Sequence, residues 1–288
     1  MRFGLLLPNA AGPARALDAS ALVSLGEAAE RYGLDSVWAS DRLATPLRGE
    51  GGANAWREEV LEPISLLTGI AANTDRIEVG TLDCVLPLRN PLFLAKAIST
   101  LDCIAKGRLL FGVSQEAASG EFAALGVEDY YEPRAEVADE WLAICREMWR
   151  ESDDPSTFEG RFIRFGYIGA YPKPIRKPHP PIYVRDEGPG ALARLAAAGD
   201  GLILDAASDT AEAAARGPAA REAAGREVAG IEVWAHLPVA PEQDPAAILD
   251  AASALGEAGV TQCLLAPGPA PSLWEVEGLL YALAAARG

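Results

Sequence analysis

Short apolar runs in this chain are repeatedly followed by side chains that could do chemistry. The polar groups at those points are Asn9, Asp41-Arg42, Asp83-Cys84, Ser114-Gln115-Glu116, Arg185-Asp186-Glu187, Asp205 and His236. Asp41, Asp83, Glu116 and Asp205 are carboxylates that could move protons or hold a metal. Arg42 could clamp an anion, but its guanidinium does not titrate near neutral pH and cannot shuttle a proton. Of the two histidines, His179 sits between prolines and reads as structural. His236 ends an apolar run and is the candidate imidazole for acid–base work. Gly188-Pro189-Gly190 opens a helical pattern, where free amide hydrogens and the helix dipole favour a phosphate and proline suits the first turn. Taken singly, each of these groups also suits a solvated loop, and the Gly-Pro-Gly also suits a plain strand-to-helix turn.

The elements that must position them are short and regular. Apolar runs at Arg2–Leu7, Ser36–Ala39, Ile77–Cys84, Arg108–Val113, Pro181–Val184, Gly201–Leu204, Ile231–Leu237 and Gln262–Ala266 predict strands. Helical patterns at Leu17–Tyr32, Glu62–Asn73, Pro91–Ile104, Glu132–Glu151, Pro189–Ala198, Asp209–Val228, Asp244–Ala258 and Ser272–Ala286 alternate with them. Such alternation predicts parallel βαβ units. A doubly wound sheet is the rival arrangement, but units spread evenly from end to end suit a closed ring. The expectation is an α/β fold, a single (β/α)8 TIM barrel over residues 1–288. An insertion over residues 152–180, between strands four and five, is expected to act as a lid. Barrel geometry puts residues that follow the strands at the catalytic mouth.

Composition narrows the partners. The 288 residues carry 25 Lys plus Arg against 41 Asp plus Glu, a formal charge of −16. That balance disfavours nucleic acid and anionic membranes, which require positive surface, and leaves a small-molecule substrate as the expected partner. The cysteines at 84, 103, 145 and 263 have no CxxC spacing, so neither a zinc site nor a disulfide framework is indicated, and no metal is expected. No apolar run reaches the ~20 residues that span a bilayer, and no secretory signal is visible, so a cytoplasmic location is expected.

An ordered set of segments resembles the luciferase-like oxidoreductases, which include luciferase-like monooxygenases and coenzyme F-420-dependent enzymes. Ser36–Leu43 (SVWASDRL), Ala71–Thr81 (AANTDRIEVGT), Leu86–Ala95 (LPLRNPLFLA) and Thr100–Arg108 (TLDCIAKGR) are similar to the family's first half. Gly112–Gly126, Phe158–Phe165 (FEGRFIRF), Pro172–Tyr183 (PKPIRKPHPPIY) and Gly188–Ile203 continue the match, which covers roughly residues 1 to 205. The resemblance implies hydride transfer or oxygen activation on bound flavin mononucleotide (FMN) or the deazaflavin F-420, the latter narrowly preferred, and a homodimer. It implies catalytic roles for Asp41, Arg42 and Glu116, with Arg42 standing where relatives carry a histidine. Asp83 and Cys84 are expected to back the ring, with a non-prolyl cis peptide between them. Ser114, Gly188, Pro189 and Gly190 are expected to hold the cofactor, and Asn9, Trp56, Asp205 and His236 to line the substrate pocket.

The cofactor loops depart from the family. Ser114-Gln115-Glu116 replaces a Gly-x-Gly, and Arg185-Asp186-Glu187 replaces small residues. An anionic cofactor meeting one such carboxylate at ~4 Å and an effective dielectric of ~20 would lose about 4 kcal/mol. Two explanations follow: the carboxylates turn away into salt bridges, or the site is altered or lost. In the second case the chain is a cofactor-independent acid–base enzyme, or a non-catalytic binding or partner subunit.

Overall fold

The protein is described by a computed structural model over residues 1–11, 18–44, 59–185, 190–204, 210–228, 230–268 and 272–287. The parallel strands are β1 (Arg2–Leu6), β2 (Ser36–Ala39), β3 (Glu78–Thr81), β4 (Leu109–Ser114), β5 (Ile182–Arg185), β6 (Gly201–Leu204), β7 (Glu232–Val239) and β8 (Gln262–Pro267). Each pairs in parallel with its neighbour, and β8 returns to β1 with Arg2 opposite Gln262 and Leu5 opposite Leu265. The eight strands therefore form a closed barrel, and closure removes the unpaired edges an open sheet would leave. The doubly wound alternative is excluded by the β8–β1 pairing.

The helices are α1 (Ala19–Arg31), α2 (Pro63–Ala72), α3 (Pro91–Ile104), α4 (Ser119–Ala124), α5 (Arg134–Trp149), α6 (Ala191–Ala198), α7 (Thr210–Ala223), α8 (Pro245–Glu257) and α9 (Leu273–Arg287). Their starts are encoded locally. Asp18, Glu62, Asn90 and Asp244 each accept a hydrogen bond from a first-turn amide of the helix they precede. Pro63, Pro91 and Pro245 occupy first-turn positions where no amide hydrogen is needed. The short α4 was not expected from the sequence.

Alternation along each strand divides the core into two layers. Phe3 and Leu5 of β1, and Leu7 just after it, pack outward against the helices. Trp38, Leu82, Leu110, Tyr183, Ile203, Trp234 and Leu264 fill the barrel interior as a separate cluster. Trp38, Tyr183 and Trp234 meet edge-to-face with ring centroids 4.8 to 5.8 Å apart. Beneath them the Glu232 carboxylate accepts from Tyr183 Oη, from Trp234 Nε1 at 3.1 Å and from Gln262 Nε2 at 2.7 Å. Gly112 makes this layer possible, because a Cβ there would overlap the Thr81 carbonyl oxygen.

Two expectations are corrected, and a third segment is described. Strand three is shorter than predicted: β3 ends at Thr81, and Cys84–Val85 rejoins β4 after a break. The cis peptide lies at Leu82–Asp83, one residue before the expected Asp83–Cys84. The 152–180 segment, expected as a lid, is seen packed along the side and far end of the barrel. It forms a hairpin of Ser156–Glu159 and Arg164–Ile168 that packs on α5, with Glu140 accepting from the amides of Arg161, Phe162 and Ile163. It then runs to the opposite end of the barrel, where Arg176 pairs with Glu78 at the start of β3. Among the described residues no helix is long and apolar enough to cross a membrane.

Candidate active site

The inward alternation continues to the mouth. Gly112 and Leu110 face the interior rings, so Ser114 at the end of β4 faces inward one layer above them. By the same rule Arg185 follows Tyr183 on β5, and His236 follows Trp234 on β7. In register, Val113 lies beside Val184 and Ser114 beside Val85, so Ser114 is flanked by the Cys84–Val85 segment and the end of β5. The Ser114 side chain is 2 % exposed and its Oγ is buried without a hydrogen-bond partner.

Of the carboxylates that raised the charge objection, Glu116 is described and is paired, as is the neighbouring Asp83. Asp83 Oδ1 accepts from Arg185 Nη1 at 2.8 Å. Glu116 Oε2 accepts from Arg134 Nε at 3.1 Å, and Glu116 Oε1 from Gln115 Nε2 at 3.2 Å. Arg134 belongs to α5 and was not anticipated. Asp186 and Glu187 lie outside the described residues, as do Trp56, Gly188, Pro189 and Asp205.

Asp41 is buried and paired within the protein. Its carboxylate is 0 % exposed and is held by Arg89, whose Nη1 and Nη2 donate to it at 2.5 and 2.9 Å, while Val85 N donates at 2.9 Å. Arg89 Nη2 also reaches Glu62 at 3.2 Å, and Trp141 Nε1 donates to the Arg89 carbonyl at 2.7 Å. The expected ring contact by Asp41 is replaced by a buried ion pair that fixes the segment carrying Asp83. Arg89 was missed as a functional position. Its signal was available: a lone cation between two prolines in an apolar stretch requires a buried partner. Burial alone would raise the Glu62 carboxyl, but the Ser65 amide and the Arg89 charge outweigh it and hold it below its ordinary value.

Two more roles are corrected. Cys84 is fully buried within the outer core, and burial pushes its thiol up to about 12, so no cysteine side chain backs a ring. Asn9 is fully buried and its amide is saturated: Nδ2 donates to the carbonyls of Ser40 and Leu61 at 2.8 and 3.0 Å, and Oδ1 accepts from Ser40 N at 3.0 Å. It clips loops together and leaves nothing for a substrate. Glu121 acts similarly, accepting from Leu43 N at 2.6 Å and Ala44 N at 3.0 Å. Arg42 is exposed beside this loop.

Gly190 precedes α6 with φ of +88°, a left-handed conformation that favours glycine. Among the described residues no side chain caps α6, and its first turn holds no acidic residue. The helix is held against α5 by the buried Arg194, which donates to Asp139 at 2.7 Å and to the Ala135 carbonyl at 3.0 Å.

Together these features describe a polar rim over an aromatic barrel floor, with paired acids and an open helix terminus. Known proteins share this framework. The solved monooxygenase RslO1 from Streptomyces bottropensis superposes with a TM-score of 0.79 over 99 % of this chain and 98 % of that one, at 22 % identity. An F420-dependent secondary alcohol dehydrogenase, solved with an F420–acetone adduct, gives 0.79 over 98 % and 97 % at 17 % identity. In sequence, the F420-dependent glucose-6-phosphate dehydrogenase of Amycolatopsis mediterranei is 31 % identical over 184 residues, 63 % of this chain and 52 % of that protein. The chain spans about half the length of the curated relatives it matches. A family profile described as luciferase-like monooxygenase matches residues 1–278. The chain belongs to the luciferase-like monooxygenase family.

Proposed function

We propose that the protein is a flavin- or deazaflavin-dependent oxidoreductase that acts on a small organic molecule by hydride transfer or monooxygenation, with the deazaflavin preferred over FMN. The observation that carries this reading is the pairing of Glu116 with Arg134 and of Asp83 with Arg185. Each paired carboxylate repels an anionic cofactor less than a free one, which supports the salt-bridge explanation at Glu116 and Asp83. Among the described residues, the unpartnered Ser114 hydroxyl and the α6 terminus without a side-chain cap fit such a group.

The first-turn amides of α6, with Gly188, Pro189 and Gly190, would hold the phosphate. Ser114, Asp83 and Arg185 would meet the polar side of the ring, and the ring supplies the hydride or oxygen chemistry when bound. Asp41 and Arg89 hold the segment beneath it. The acid–base role is assigned to His236, the inward-facing imidazole, with Arg42 steadying anionic substrate groups at the rim. The name of the Amycolatopsis relative supports the deazaflavin preference. The resemblance alone supports a partner in a second copy of the chain.

The test is a titration of the full chain with FMN and with the deazaflavin, followed by absorbance and fluorescence. Micromolar binding of either is expected. Binding of neither would favour the cofactor-independent or non-catalytic reading.

A further inference from the structure

The last helix, α9, is apolar on two opposite faces. Its inner face buries Val276, Leu279, Leu280 and Leu283 in the core that packs outside the barrel. Trp274, Gly278, Tyr281 and Ala285 recur at helical spacing and share the exposed outer face. Trp274 is 74 % exposed and Tyr281 64 %. The charged residues of the helix are engaged elsewhere. Glu275 accepts from Ser272 N at 2.7 Å, and Glu277 pairs with Arg31 of α1 at 3.5 Å. Arg287 donates to the Gly33 carbonyl at 3.2 Å and lies over the Phe3 ring. A surface helix ordinarily turns its charges outward, and one that is apolar all round is ordinarily buried all round. An exposed aromatic stripe without charge therefore marks an interaction surface.

The order of residue sizes says what covers it. Along the stripe large and small alternate as Trp, Gly, Tyr, Ala, so the stripe fits its own reverse. We propose that it is a self-docking surface on which α9 of a second copy of this chain packs antiparallel. In that register Trp274 rests on Ala285 of the partner subunit, and Tyr281 on Gly278 of the partner subunit. A parallel pairing would instead set Trp on Trp and leave Gly facing Gly. The same patch serves both copies, so the contact is isologous and closes at two. Each chain carries a charge of −16, but the Glu277–Arg31 pair at the edge of the stripe adds no net charge to it. An aromatic side chain buries ~150–250 Å², and these two are about two thirds exposed. Two from each copy then supply roughly 400–700 Å², and with the small residues between them the contact approaches about 1,000 Å², the low end of specific interfaces. A weak dimer of micromolar affinity is the expected result. This surface needs no bound cofactor, so its failure would leave the function proposed above untouched.

Sedimentation velocity on the full chain, from roughly 1 to 200 µM, reads the association. The mass is expected to rise with concentration, and more steeply at high salt, which screens the like charge of the two copies. Trp274→Glu sets a carboxylate in each half of the contact. It is expected to weaken association at least about 100-fold while leaving the circular dichroism spectrum unchanged. The register has its own readout, in a Cys103→Ser background that removes the one native thiol not fully buried. An equimolar mixture of Gly278→Cys and Tyr281→Cys chains is expected to crosslink on mild oxidation, and neither chain alone. A parent whose mass Trp274→Glu leaves unchanged at every concentration overturns the proposal. Crosslinking of Gly278→Cys with itself overturns the antiparallel pairing. Capture of the parent by neutral phosphatidylcholine vesicles, without self-association, assigns the stripe to lipid and overturns it as well.

Discussion

Replacing Arg89 with methionine should destabilise the protein more than any change at the exposed rim. The guanidinium is 9 % exposed and its partner Asp41 is 0 % exposed. Methionine keeps much of the apolar volume but strands the Asp41 carboxylate, which would retain Val85 N as its remaining partner among the contacts described. Two unit charges ~4 Å apart at an effective dielectric of ~20 interact by about 4 kcal/mol. Removal of one member of a buried pair costs about 3–5 kcal/mol. At roughly 2–4 °C per kcal/mol for large domains, the melting temperature of Arg89→Met should fall by roughly 10 °C. Differential scanning calorimetry at constant pH and salt measures it. The same reasoning predicts that adding Asp41→Asn recovers most of the loss, because the penalty lies in the uncompensated charge. A single variant within about 2 °C of the parent, which corresponds to less than about 1 kcal/mol, would refute the stabilising role. A double variant as unstable as the single one would refute the assignment of the cost to Asp41.

Ser114→Ala should raise the stability of the ligand-free protein by about 1 kcal/mol, since it removes a buried hydroxyl without a partner; a chemical-denaturation midpoint that falls would contradict this. Alkaline stability follows from the thiols. Burial pushes Cys84 up to about 12 and Cys263 up to about 11, from an ordinary value of 9.0. A group whose folded pKa is raised contributes stability that is complete below its unfolded value and is lost as pH rises. Each thiol should therefore cost about 1.4 kcal/mol per pH unit above pH 9, until its folded pKa is reached. Denaturation midpoints at pH 8 and pH 10 check this, with Cys84→Ala reducing the slope. At neutral pH, brief alkylation of the folded protein should label Cys103 in preference to the buried Cys84, Cys145 and Cys263, as peptide mapping would show.

The ring of strands and helices was legible along the chain because each element carries its own signals. Predicted and observed bounds coincide at Pro91–Ile104, where Asn90 caps and Pro91 starts the helix. They differ by a residue or two at most strands, where the apolar run defines what can be buried. The gathering of the residues after the strands at one end was legible too, since barrel closure brings them together. What those residues do was not. Asp41 meets Arg89 from 48 positions away, and Asp83 meets Arg185 from 102 positions away. Neither pairing has a local signature, because strand order and register decide which side chains share a face. Asn9 and Cys84 read as mouth residues by position, yet closure turns one into a saturated clip and the other into outer core. Local propensity and apolar spacing set the sequence of elements; only the closed ring decides which polar atoms are satisfied by the protein and which are left for a ligand.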